Sequence, residues 1–473
     1  MQHTTPLPRA TRANAAALPR RSFLKTVLAA AAAPWLVPAG VIRAQDGKPV
    51  PSGRTTFGLI GCGNMGPEGM KNVLNDKTAQ VIGTCDVFRN RANRWRDNVD
   101  KHYKAKGCTA YYDFRELLAR KDLDCVEIAT GDYWHIPLAL AAIRAGKDTY
   151  VEKPLGVSLE WAKVLRDEIV KRKAVFQFGT WQRSRTHFRR ACELVRDGAI
   201  GKVSRVDAWS YGLASDGGGI FNPRSHVRKL HLAKPADKVP ADLNYDLWLG
   251  PAPQKAYSNA RVSTLGIYHI YDYAIGYIGG WGIHPVDIAQ WALDADLAPP
   301  VSYKGTGRLP DAGLFDTVAA WDVLCKYENG VEMRFMDHTA AAPVVKKYLP
   351  RVGDHGTTFH GEKGWISVSR SSVQSSDAEL VKRSRRKPAD GETHLYASEG
   401  NNQWQNFIAC VKSRKPTINP IQSAFNGDVI CHLTDLVVRT GRELKWDAKT
   451  ETIVNDAGAN ALLNRPLREP WKL

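Results

Sequence analysis

The hexapeptide Gly61-Cys62-Gly63-Asn64-Met65-Gly66 closes a short apolar run and opens a helical stretch, which sharply limits what this chain can fold into. In that context Gly61 permits a tight turn, Gly63 lets backbone approach a diphosphate, and Gly66 lets the helix lie close to the strand. The N–H groups at the start of the helix then face an anion. Short runs rich in Val, Ile and Phe recur downstream and read as strands at Thr56-Gly61, Gln80-Cys85, Asp124-Ala129, Asp148-Glu152 and Ala174-Gly179. Helical stretches separate them, including Arg89 to Lys106 and Pro137 to Ala145, with Gly107 and Gly146 where the helices stop. Strands alternating with crossover helices make a parallel, doubly wound α/β sheet, so residues 55–182 read as a Rossmann domain.

After Arg183 the texture changes. Strand patterns at Val203-Tyr211, Val318-Tyr327, Val331-Asp337, Thr357-Phe359 and Trp365-Val368 are joined in part by tight turns at Glu328-Asn329-Gly330 and Gly361-Glu362-Lys363-Gly364. They predict a second, α+β domain with a large, mostly antiparallel sheet over 183–440, followed by an extension at 441–473. The irregular stretch Leu213 to Ile275, rich in Gly, Pro, Tyr, Trp and His, is too long for an idle connection and reads as functional or wrapping.

The N-terminus is built differently. Arg20-Arg21-Ser22-Phe23-Leu24-Lys25 precedes the apolar stretch Thr26 to Pro38, which is too short to span a bilayer. This resembles a twin-arginine export signal at 1–44, with a linker at 45–54, and implies a periplasmic or otherwise exported protein that folds before export. The net charge of +18 invites a nucleic-acid reading, but residues 1–50 alone carry +6 of it. The rest is dispersed apart from Lys382 to Lys387, read as a solvated loop, so no nucleic-acid partner is expected. Eight cysteines show neither CxxC pairs nor regular spacing, so neither a metal site nor a disulfide framework is signalled.

Asp86, at the end of the second strand, stands where a carboxylate accepts hydrogen bonds from adenosine ribose hydroxyls, which favours NAD. Arg89 and Arg91 are near enough to hold a 2′-phosphate, which leaves NADP open. Ligands of such sheets bind beyond the carboxyl ends of the strands. Those ends carry Thr130 and His135, then Glu152-Lys153-Pro154, then Trp181-Gln182-Arg183. Thr130, His135, Glu152 and Lys153 join Gly61, Gly63, Asn64, Met65, Gly66 and Asp86 as candidate cofactor-binding residues, and Lys153 is placed to bind a reacting hydroxyl. A second cluster, Gly279 to Trp291, puts His284 at a helix N-terminus, where the dipole favours a neutral, proton-accepting imidazole. Asp287 lies one turn later, able to orient it. Trp181, Trp281 and Tyr271 offer flat faces for a pyranose ring, and Gln182 and Arg183 offer groups for its hydroxyls.

The glycine motif with its distal Asp86, the Glu152-Lys153-Pro154 strand end and Gly282-Ile283-His284-Pro285-Val286-Asp287 together resemble the Gfo/Idh/MocA oxidoreductase family over about Thr55 to Thr440. The resemblance implies that Lys153 binds the reacting hydroxyl and that His284 moves its proton. Many members carry an aspartate four residues before that histidine; here Gly280 stands there, and Asp272 or Asp287 could replace it. The implied activity is hydride transfer between a secondary alcohol of a sugar or glycoside, at C3 for instance, and a tightly bound NAD, in a homodimer or homotetramer. Two alternatives remain open: a glycosidase that oxidises transiently, eliminates and re-reduces, and a sugar- or nucleotide-binding protein without turnover.

Overall fold

The computed structural model describes residues 53–215, 218–234 and 238–473, so the export signal read at 1–44 lies outside the described residues. Six strands form the first sheet: β1 (Thr55–Ile60), β2 (Ala79–Cys85), β3 (Thr109–Tyr111), β4 (Cys125–Ile128), β5 (Asp148–Val151) and β6 (Phe176–Phe178). Their order is β3-β2-β1-β4-β5-β6, and every pairing is parallel. Helices cover both faces, which is why every residue of β4 and β5 is buried and why neither strand alternates apolar with polar. The order reverses between β1 and β4, so a crevice opens past their carboxyl ends.

Nine strands form the second sheet, in the order β13-β12-β11-β7-β10-β9-β8-β14-β15. They are β7 (Val203–Ser210), β8 (Ser302–Arg308), β9 (Ala320–Lys326), β10 (Glu332–Asp337), β11 (Gly356–Gly361), β12 (Gly364–Val368), β13 (Val373–Ser375), β14 (Leu444–Asp447) and β15 (Thr452–Ile453). Only β7 and β10 pair in parallel. The buried helix Ile421–Thr440 packs on β8 and β9 and on the helix Leu159–Arg172 of the first domain, so one apolar core runs through both.

Residues 441–473 do not trail away as an extension. β14 pairs with β8, the Leu463 carbonyl accepts from the Leu159 N–H at 3.0 Å, and the Trp471 ring lies 4.9 Å from Trp134. The basic run Lys382 to Lys387 begins in the helix Ala378–Arg383 rather than in a free loop, with Lys382 paired to Glu379 and Arg383 to Glu392. All eight cysteines are buried and unpaired.

Candidate functional site

A cavity of about 660 Å³ opens at the reversal between β1 and β4, within the size range of small-molecule sites, roughly 300–1,000 Å³. Of the residues read as cofactor-binding, all except Gly66 line it. The three glycines divide the work as their positions require. Gly61 has φ +99°, and a Cβ there would lie 2.4 Å from the Ala129 carbonyl; a Cβ on Gly66 would lie 2.2 Å from the Gly61 carbonyl. A Cβ on Gly63 would meet nothing closer than an Arg91 side-chain nitrogen at 3.9 Å, so the space above Gly63 is kept open. Asn64 precedes the helix Met65–Leu74 without capping it; its Nδ2 donates to Thr264 Oγ1 at 3.2 Å instead. First-turn amides without a side-chain cap above an open glycine fit a diphosphate.

Asp86 closes the adenosine end. Its oxygens accept from the Cys62 and Phe88 backbone N–H groups, each at 2.8 Å, which fixes the carboxylate and leaves further lone pairs. Burial raises its pKa, opposed by those amides and by the Arg91 and Arg94 charges. Arg91 and Arg94 both line the cavity, whereas Arg89 turns to the Tyr112 ring, 4.4 Å away. Of the two arginines proposed for a 2′-phosphate, only Arg91 is therefore in place, and Arg94 joins it.

The roof comes from the second domain. Leu247, Trp248, Val262, Ser263, Thr264, Ile267 and Tyr268 line the cavity opposite the strand ends. The approach is stitched to β2 by a bridge between Phe88 and Leu243, and the Trp248 carbonyl accepts from the Tyr133 hydroxyl and from Trp134 Nε1. Residues 243–268 thus wrap over the strand ends.

Lys153 sits at the inner end, buried, with Nζ 3.4 Å from the Tyr268 hydroxyl. Burial alone would discharge it, but Tyr268, Glu152 and Asp132 outweigh burial and hold the ammonium above its usual range. Asp132 carries an oxygen with no partner, and burial pushes its carboxyl up to about 8 despite the Lys153 charge. Glu152 is also raised by burial and accepts from the Tyr150 hydroxyl at 3.3 Å. His135 lines the cavity with its ring nitrogens 2.6 Å from the Pro154 carbonyl and 3.2 Å from that of Thr130, and as a neutral ring it donates to one of the two. Burial drops it to about 4, so the neutral ring braces the strand end next to Lys153.

His284, in the first turn of the helix Ile283–Ala292, is buried with Nδ1 unpartnered. Its pKa falls well below the usual value, first through burial and then through the charges of Arg370 and Lys153. The neutral imidazole expected from the sequence is present, but burial and those two cations depress it. Trp181 and Trp281 bracket the ring at 6.5 and 6.0 Å between centres.

Five other candidates stand elsewhere. Asp287 does not orient His284: it accepts from Arg183 at 2.7 Å, Thr180 at 3.0 Å and Asn419 at 3.2 Å. Arg183 is only 2% exposed and is shared between Asp287 and Asp296, so it holds the fold together rather than substrate. Tyr271 is clamped between Arg439 and Arg465, with the guanidinium carbons 3.4 and 3.5 Å from its ring centre. Asp272 is partly exposed, 3.7 Å from the Lys255 ammonium, and does not line the cavity. Gln182 is buried, with Nε2 3.1 Å from His355 Nε2. The room left by Gly280 is taken by a tyrosine, since a Cβ there would lie 2.8 Å from the Tyr268 ring. Tyr268 is thus a site residue that no motif or spacing pointed to.

Residues 55–180 match the family described as an oxidoreductase family with an NAD-binding Rossmann fold, and residues 224–363 and 393–473 match its C-terminal α/β domain. A glycosyl hydrolase family 109 protein of Shewanella amazonensis is 31% identical over 180 residues, 34% of this chain and 39% of that protein. An inositol 2-dehydrogenase of Salmonella typhimurium is 27% identical over 156 residues, 33% of this chain and 45% of that protein. The match therefore spans less than half of either relative. Among solved structures, a putative NADPH-dependent oxidoreductase of Desulfitobacterium hafniense superposes with a TM-score of 0.58 at 16% identity, over 84% of this chain and 99% of the other. A scyllo-inositol dehydrogenase of Lactobacillus casei, solved with NAD(H) and scyllo-inositol, gives 0.55 at 14%, over 83% and 99%. These two likenesses concern the fold.

Proposed function

Because the chain belongs to the Gfo/Idh/MocA oxidoreductase family, with its NAD-binding Rossmann domain, we propose that it oxidises a secondary alcohol of a sugar or glycoside with a tightly held NAD. The observation that carries this reading is a charged Lys153 at the cavity's inner end, close enough to a neutral His284 for its charge to depress the imidazole. A bound nicotinamide supplies the hydride acceptor. Lys153 Nζ donates to the reacting hydroxyl and stabilises the negative charge that grows on its oxygen. The hydroxyl proton passes to the neutral His284 imidazole. Tyr268, beside Lys153, fixes the ammonium.

Two features support a captive nucleotide. The roof over the cavity is contributed by the second domain and hydrogen-bonded to the first. The twin-arginine pattern Arg20-Arg21-Ser22-Phe23-Leu24-Lys25 further points to export, where a dissociating cofactor would be lost. The second reading, cleavage of a glycoside through transient oxidation, is favoured by the relative named as a glycosyl hydrolase family 109 protein. Mass-spectrometric profiling of products from a panel of aryl glycosides separates the two. A product lighter by two hydrogens supports oxidation, a released aglycone with no net redox change supports cleavage, and neither product from any glycoside removes both.

A further inference from the structure

Beside His284 lies a second cavity, about 450 Å³, walled by Trp181, Arg185, His187, Phe188, Arg370 and Asn401. Its two arginines are held against indole rings. The Arg370 guanidinium lies 4.4 Å from the Trp181 ring centre and 4.7 Å from that of Trp281, and Arg185 lies 4.7 Å from Trp181. The faces read from the sequence as sugar platforms are therefore occupied by guanidinium groups. Three arginines elsewhere in the fold answer carboxylates: Arg183 has Asp287 and Asp296, Arg190 has Glu193 and Glu392, and Arg166 has Glu451. Arg185 and Arg370 have none within ion-pair distance among the described residues, and Arg370 Nε is buried without any partner. Asp354 and Glu152 are the acids whose charge reaches Arg370. Asp354 is taken up by His355 at 2.8 Å and Glu152 by Tyr150.

Two cations sharing one indole repel each other, and burial together with the Arg185 charge brings Arg370 down to about 10, with Asp354 opposing. A planar anion between them would relieve that repulsion and satisfy the orphan Nε, and a carboxylate matches the guanidinium fork. We infer that the substrate carries a carboxylate, as a uronide does, and that Arg370 and Arg185, braced on Trp181 and Trp281, hold it while its ring presents a hydroxyl to Lys153 and His284. This deepens the sugar-oxidising reading and rests on it.

The test uses methyl glycosides in matched pairs that differ only at C6, as hydroxymethyl or carboxylate, in the gluco, galacto and manno series. They are given to the protein as purified with its nucleotide, and oxidised product is measured. In the preferred series the uronide should exceed its neutral partner about tenfold or more in kcat/KM, the scale of one charge-assisted hydrogen bond. Arg370→Gln and Arg185→Gln should each draw that ratio towards unity, chiefly through KM. Equal use of both partners by the parent, or an unchanged ratio in both variants, overturns the inference while leaving sugar oxidation standing. If neither partner is oxidised in any series, the oxidoreductase reading fails. Calorimetric titration of glucuronate against glucose then decides the carboxylate site by itself: preference for glucuronate lost in Arg370→Gln supports it, and no preference overturns it.

Discussion

His284 and Asp287 are three residues apart on one helix and equally buried, at 2% exposure each, yet they belong to opposite kinds of place. Around Asp287 the polar groups are matched: Arg183, Thr180 and Asn419 all donate to it, and Asp296 takes the other side of Arg183. Around His284 they are not: its own Nδ1 and the Nε of Arg370, whose charge reaches it, are buried without partners. A buried polar group left unpartnered costs on the order of 1–3 kcal/mol, so a fold keeps several together only where something else completes them. Burial alone therefore marks neither function nor structure; the presence or absence of partners separates the two regions.

The comparison breaks if substitutions in the two regions behave alike. Lys153→Met should lower kcat/KM by about 10³-fold or more while leaving the thermal midpoint nearly unchanged, as steady-state kinetics and a melting curve on one preparation would show. Asp287→Ala should do the reverse: it leaves Arg183 with Asp296 alone and takes the acceptor from Thr180 and Asn419, costing about 1–3 kcal/mol by denaturant unfolding. Asp86→Ser removes the ribose acceptor beside Arg91 and Arg94 and should shift the ratio of NADP to NAD binding roughly tenfold towards NADP, by titration of apoprotein.

The smallest effect sharpens the picture through pH. The Asp132 carboxyl holds its proton up to about pH 8 in the native state, against an ordinary value of 3.8. Between those values the native state binds a proton that the unfolded chain has released, so this group's contribution to stability falls as pH rises and levels off above about 8. Asp132→Asn lacks that slope. Its thermal midpoint should draw ahead of the parent's as pH climbs towards 8, with no advantage near pH 4.

Much of the first domain was legible because its signals are local. The glycine motif, the strand-end carboxylate at Asp86 and the Glu152-Lys153-Pro154 corner each lie within a few residues whose spacing the backbone imposes. Strands β3, β13 and β15 were not legible, since none exceeds three residues and none shows a buried alternation. The misplacement of Arg183 and Asp287 has a different origin. Their ion pair joins positions 104 apart in the chain, and before the fold is known a buried structural pair carries the same residue types as a catalytic one. Tyr268 escaped notice because the roof is set by tertiary contacts, not by periodicity. Gly280 marked an absence, and only the fold shows the Tyr268 ring in the space it leaves.

The claim that carries the rest is that the roofed crevice at the β1/β4 reversal retains a nicotinamide dinucleotide against Lys153. Denaturing the purified protein and quantifying by mass spectrometry what it releases tests this most directly. The account predicts close to one dinucleotide per chain; a protein that releases none would contradict it.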